Sequence, residues 1–352
     1  MKNAYKNIFL VIFSVLIFFA ALEIVLRATE PTTKVMCIYE KDDENGFSLK
    51  KNYSTVYKTE EYEIDISINS AGQRDREYPQ IPNKSILFLG DSYVFGQGVN
   101  LNETMSKFLE LYAGNASGTV VINGGVPSYS SIQEVKLYKR LIPLYKPQIA
   151  ILGFFVGNDI RDNLENVRLN VTQDFCLINE RKTYPIYQQI KSLWFLISGI
   201  RQLIPYKTSK GENMLDLELI KKVPDNQEKI LQAWNITEAS FRDFISVSKA
   251  NNITPIILII PQKKHINKKI FSTLPTYGLK EEDFDVSLPY KKAIQIGEEN
   301  RAIVINLFDD MKESMDKGDS PYLEADGHFS ALGNRISGWK IYSVLAEKHI
   351  LK

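Results

Sequence analysis

A chain of 352 residues with 44% hydrophobic and 24% charged residues has the composition of a folded globular protein, which excludes disordered, collagen-like and multispan membrane classes. Forty-three basic residues against 42 acidic leave a formal net charge of +1, so no overall electrostatic footprint for nucleic acid exists and none is expected as a partner. The two cysteines, Cys37 and Cys176, show no CxxC or Cys/His spacing, so zinc and iron–sulfur chemistry have no obvious ligands; no metal or other cofactor is expected for the chemistry read below. They are compatible with one disulfide outside the cytosol or with two buried thiols, because sequence gives no distance between them.

The length suits one main domain with appendages. Lys2 and Lys6 precede Ile8 to Leu22, a run that is apolar apart from Ser14, and Ile24-Val25-Leu26 resume it after Glu23. At about 1.5 Å per residue, this helix nearly crosses a hydrocarbon core of about 30 Å. It is apolar on every face rather than along one stripe, and no convincing cleavage site follows, so residues 1–30 are expected to be a transmembrane signal anchor. Because the run resembles an export signal, the body is expected outside the cytoplasm, periplasmic or extracellular. Basic residues on both flanks leave the positive-inside count nearly balanced. Residues 31–82 form an extension in which Glu63 to Ile68 alternates with period two, as a half-buried strand does, and Asn69 to Gly72 reads as a turn.

Beyond Pro82 short apolar runs alternate with helical stretches, which predicts a doubly wound, flavodoxin-like α/β domain over 83–350 with a five-stranded parallel sheet flanked by helices. Strands are expected at 85–89, 119–122, 149–155, 254–260 and 302–305, with helices at 103–113, 129–145, 227–251, 288–300 and 330–348, the last capped by Ser330. The alternation lapses at about 162–226, an insertion that can supply a lid or simply pack against the body.

Three short motifs lie where such a sheet places ligands, at strand carboxyl ends or just before the last helix. Gly90-Asp91-Ser92 follows the first core strand and offers a hydroxyl beside the free N–H groups of a helix start. Gly157-Asn158-Asp159 follows the third, and an Asn amide is a neutral donor suited to developing negative charge. Asp326-Gly327-His328 precedes the last helix. Of the three histidines, His265 sits in a lysine-rich loop and His349 at the chain's end, so His328 is the economical base for Ser92, with Asp326 fixing its tautomer. Taken singly, each motif is equally compatible with an ordinary turn or helix cap.

Taken in order, the three motifs resemble the first, third and last blocks of the SGNH (GDSL-like) hydrolases over about residues 83 to 350. The resemblance implies Ser92 as nucleophile, Asp326 and His328 as the rest of a triad, and an oxyanion hole from the Ser92 N–H, a glycine N–H and the Asn158 side chain. At the second block the sequence departs. Asn123 to Tyr129 puts Ser128 where the family has glycine, with Gly125 as the rival position for the same backbone donor. The Asp-x-His spacing, the stretch Asn69 to Arg74 and the amino-terminal anchor resemble the branch linked to O-acetylation and deacetylation of bacterial envelope polysaccharide. What this implies is a serine esterase or O-acyltransferase acting on an acylated small molecule or glycan, with envelope polysaccharide machinery as a possible partner. The competing expectation is a catalytically silent glycan-binding or assembly protein that keeps the fold.

Overall fold

The computed structural model describes residues 2–28, 36–78, 84–165, 169–172, 175–179 and 213–351. The chain divides into two units, Met1–Thr33 with Asn179–Ser209, and Lys34–Ile178 with Lys210–Lys352. In the first, helix α1 spans Lys2–Ala28, and its stretch Tyr5–Val25 is long and apolar enough to cross a membrane, with none of it buried.

The second unit is built on five parallel strands: β5 (Ser85–Gly90), β6 (Val120–Gly125), β7 (Ile149–Phe155), β10 (Thr254–Ile260) and β11 (Ile303–Asn306). Their order is β6-β5-β7-β10-β11, the doubly wound order in which the chain runs first to one side of β5 and then to the other. The resulting switch point lies between the carboxyl ends of β5 and β7. Strand alternation sorts the buried side chains onto two faces. Leu87, Leu89, Leu152, Phe154, Ile257 and Ile259 point to one core, and Ile86, Phe88, Ile151, Ile256, Leu258 and Ile260 to the other. Each such burial contributes about 1.5–3 kcal/mol.

Helices α4 (Ser131–Tyr145), α7 (Gln227–Ala250) and α9 (Leu288–Glu299) cover the first face. Helices α3 (Met105–Ser117), α10 (Phe308–Asp316) and α11 (Ala331–Glu347) cover the second. Ser330 caps α11, its side chain accepting the Gly333 N–H, as its position before the apolar pattern predicts. Strand β6 runs three residues past its expected end, because Gly124 and Gly125 pair with Leu89 and Gly90 instead of turning. Helix α4 begins at Ser131, two residues later than expected, where Ser130 and Gln133 form a capping box.

The expected extension adds two antiparallel hairpins, β1 (Tyr39–Asp42) with β2 (Gly46–Leu49) and β3 (Tyr53–Lys58) with β4 (Glu63–Ile68). Ile64, Ile66 and Ile68 are buried in the same core as Leu87 and Leu89, so the hairpins share the sheet's interior. A disulfide joins Cys37 to Cys176, between β8 (Leu169–Val171) and β9 (Leu177–Asn179), which decides between the two states the sequence leaves open. At the insertion's ends, α5 (Asp159–Glu165) and α6 (Asn213–Ile220) are linked by an Arg161–Asp216 ion pair at 3.3 Å. Residues 180–212 of the expected insertion, which can be a lid or a packing appendage, lie outside the described residues.

Candidate active site

Strand β5 ends at Gly90, and Asp91 caps the four-residue helix α2 (Ser92–Phe95), its Oδ1 accepting the Tyr93 N–H at 2.9 Å. Helix α2 lies hard against the end of β6. A Cβ at Gly125 would sit 2.1 Å from the Phe95 nitrogen, so only glycine fits there. From the extension, the wholly buried Arg74 donates to the carbonyls of Phe95, Gly96 and Val99 and fixes the chain just after α2. Burial holds its guanidinium down to about 10, with the Asp65 charge opposing, so it is still charged at neutral pH.

Ser92 Oγ lies 2.7 Å from His328 Nε2, and His328 Nδ1 is bonded to Asp326 Oδ1. The turn that brings these residues together depends on Gly327, at φ +83°, a left-handed conformation that glycine adopts without strain. Tyr93 stacks its ring 4.8 Å from the imidazole and donates its hydroxyl to the Gly327 carbonyl at 3.0 Å. An ionised carboxylate is acceptor-only, so Nδ1 carries the proton and Nε2 accepts from the serine hydroxyl. Partial burial pushes the Asp326 carboxyl up, but the hydrogen bond and charge of His328, with hydrogen bonds from Tyr62 and Gln97, hold it down to about 2. A cleft of about 380 Å³ opens beside the imidazole, lined among others by Tyr93, Phe155, Lys263 and Lys264.

Asn158 follows β7 across the switch point; burial raises the carboxyl of Asp91, the residue before Ser92, and the Asn158 side chain is among the groups that oppose the rise. Ser128 is exposed and has φ +70°, a conformation that glycine adopts freely and that costs a serine. The rival, Gly125, donates its N–H to Asn123 Oδ1 at 3.0 Å. The structure thus brings Ser92, Asp326 and His328 together, sets Asn158 against Asp91, and leaves Gly125 committed to an internal bond.

His265 stands apart. It is buried, its Nδ1 bonded to the Tyr290 hydroxyl at 2.9 Å, and burial holds it down to about 4. Behind the nucleophile lie three fully buried carboxyls, Asp91, Glu134 and Asp159. Burial raises all three, and like charge within the group reinforces the rise at Glu134 and Asp159, although His328 and hydrogen bonds partly offset it at Asp91. Neither oxygen of Glu134 has a hydrogen-bond partner. Sequence reasoning singled out none of these three as a buried group, and it missed Arg74, Tyr62 and Gln97 as supports of the site.

No family model matches the chain, and no curated protein does. Solved structures do show similarity. A psychrotrophic esterase from Pseudoalteromonas is 14% identical over 76% of this chain and 100% of its own, with a TM-score of 0.41. A lipase/acylhydrolase from Enterococcus faecalis is 14% identical over 75% and 96%, at 0.40. A member of the lipolytic G-D-S-L family from Veillonella parvula is 11% identical over 75% and 98%, at 0.40.

Proposed function

We propose that the chain is a membrane-tethered serine acyl-ester hydrolase or O-acyltransferase whose substrate is an O-acetyl group on an envelope glycan. The observation that carries the reading is the continuous hydrogen-bonded series Ser92–His328–Asp326 at the switch point of the sheet.

Ser92 Oγ attacks the ester carbonyl as its proton passes to His328 Nε2, and Asp326 balances the imidazolium that forms. The carbonyl oxygen becomes an oxyanion, held by the backbone N–H groups of Ser92 and Ser128 and by the Asn158 amide. Ser128 is favoured over Gly125 because the Gly125 N–H already has an acceptor. Collapse of the tetrahedral intermediate breaks the ester bond, the alkoxide takes the proton from His328, and an acyl-Ser92 is left. Water then gives hydrolysis; a sugar hydroxyl gives transfer.

Helix α1 is read as the tether, with the body outside the cytoplasm, where the Cys37–Cys176 disulfide persists and an envelope glycan and its processing machinery are within reach. The glycan and its acetyl group rest on the sequence resemblance. A fluorophosphonate probe applied to the full chain in detergent tests the chemistry. Labelling that is lost in Ser92→Ala is expected, whereas no labelling of folded wild-type protein would favour a silent glycan-binding or assembly role.

A further inference from the structure

We infer that Glu61 and Tyr62, at the tip of the β3–β4 hairpin, are positioning residues for the Asp326–His328 pair, which makes the amino-terminal extension a working part of the active site. The inference rests on the reading of Ser92 as nucleophile and His328 as its base.

The hairpin tip is a fixed platform. Thr59 N–H donates to the Tyr62 carbonyl at 2.9 Å, and Thr59 Oγ1 accepts the N–H groups of Glu61 and Tyr62 at 3.2 and 3.1 Å. Beyond it, Lys58 pairs with Glu63 across the two strands. From this platform the Glu61 carboxylate accepts three consecutive backbone N–H groups, those of Glu324, Ala325 and Asp326, the last at 2.9 Å. Three convergent donors on one ionised acceptor make a strong, directional clamp. The far side of the same loop is held by Lys263, whose ammonium donates to the carbonyls of Leu323 and Glu324 at 3.1 and 3.3 Å.

Tyr62 acts one atom closer to the chemistry. Its hydroxyl donates to Asp326 Oδ2 at 2.9 Å, with Gln97 Nε2 beside it at 3.3 Å, while Asp326 Oδ1 is bonded to His328. Both carboxylate oxygens are therefore occupied, which leaves the group little freedom to rotate. A carboxylate fixed in this way keeps the imidazole in one tautomer and aims Nε2 at Ser92. Glu61 itself is solvent-exposed, so its removal sacrifices little buried surface, and its weight falls on the geometry of the loop.

The test compares Glu61→Ala, Glu61→Gln and Tyr62→Phe with Glu60→Ala, an exposed neighbour on the same turn, in the full chain. Aryl acetate turnover and the downfield proton resonance of the His328 Nδ1–H are read on each. Glu61→Ala should lower kcat by about 10- to 100-fold with KM and the unfolding midpoint nearly unchanged, Glu61→Gln should recover much of the loss through its remaining acceptor oxygen, and Tyr62→Phe should lower kcat roughly ten-fold. The resonance should broaden or shift in Glu61→Ala and Tyr62→Phe and stay in place in Glu60→Ala. Wild-type kcat and an unmoved resonance in Glu61→Ala and Tyr62→Phe would overturn the inference, as would a loss that merely follows the unfolding midpoint. Wild-type protein that neither turns over aryl acetate nor takes up a fluorophosphonate would instead sink the hydrolase reading, and the resonance alone would then decide the positioning role.

Discussion

Arg74 donates to the Gly96 carbonyl at 2.8 Å from a site with no solvent exposure, and so ties the extension to the turn that follows the nucleophile helix. The same guanidinium reaches the carbonyls of Asp65, Phe95 and Val99. One planar, five-donor group thus serves four acceptors, three of them buried. Arg74→Met should strip those carbonyls of their guanidinium donor and lower the unfolding free energy by about 3 kcal/mol or more. Arg74→Lys should restore only part, since an ammonium is a point donor without the fork. Urea unfolding in detergent measures both, and a loss in Arg74→Met below about 1 kcal/mol would contradict the account.

Kinetics separate the proposed base from the other histidines. Ser92→Ala and His328→Ala should each lower kcat by about a million-fold in aryl acetate hydrolysis, and the double variant should add little. His265→Ala should leave turnover near wild type, because that imidazole is bonded to Tyr290 within the fold and makes no bond to Ser92 or Asp326. Equal damage from His265→Ala and His328→Ala would show that the base is wrongly chosen.

The positive φ of Ser128 yields a sharper test of the oxyanion donor than removal of its side chain. Ser128→Gly keeps the N–H and removes the steric cost of a left-handed serine, so activity should persist and stability should rise or hold, by about 0–1 kcal/mol. Ser128→Ala should also keep most activity, because the hydroxyl has no part in the proposed hole. A large loss of kcat in Ser128→Ala at unchanged stability would mean that the hydroxyl, and not the main chain, does the chemistry.

Glu134 predicts how stability depends on pH. An unfolded glutamate releases its proton near pH ~4.3, whereas burial beside Asp159 and Asp91 keeps the folded one protonated to higher pH. Between those two values the folded state binds more protons than the unfolded state, so stability is fully present below the unfolded value and is lost as pH rises toward the folded one. Glu134→Gln removes the ionisation and should flatten that decline, so the stability difference between about pH 5 and pH 8 shrinks relative to wild type. An unchanged difference would show that Glu134 titrates alike in both states.

Much of the fold was legible because its information is local. Ile86-Leu87-Phe88-Leu89 and Ile256 to Ile260 declare buried parallel strands by composition and length, and Ser330 declares a helix start. The second block was harder, since Asn123-Gly124-Gly125 reads as a turn from propensity, yet pairing with Leu89 and Gly90 continues the strand. At the site, Ser92, Asp326 and His328 each stand in a recognisable short motif. Glu61 and Tyr62 do not, because a hydroxyl that meets a carboxylate 264 residues away leaves no periodicity and no spacing to read, and Arg74 ends a stretch whose resemblance gives no sign of its burial against the turn after α2. Glu134 was hidden for a related reason. A carboxylate on a helix is expected to face water, and only the packing of α4 against the sheet shows that this one is inside.

The central claim is that Ser92 carries an acyl group during turnover. Brief exposure of the protein to an aryl acetate, an acid quench and mass measurement of the digest test it directly. The account predicts one added acetyl group on the peptide containing Ser92, absent in Ser92→Ala and strongly reduced in His328→Ala. Turnover of the ester with no acetyl on that peptide, or with the acetyl on another residue, would contradict it.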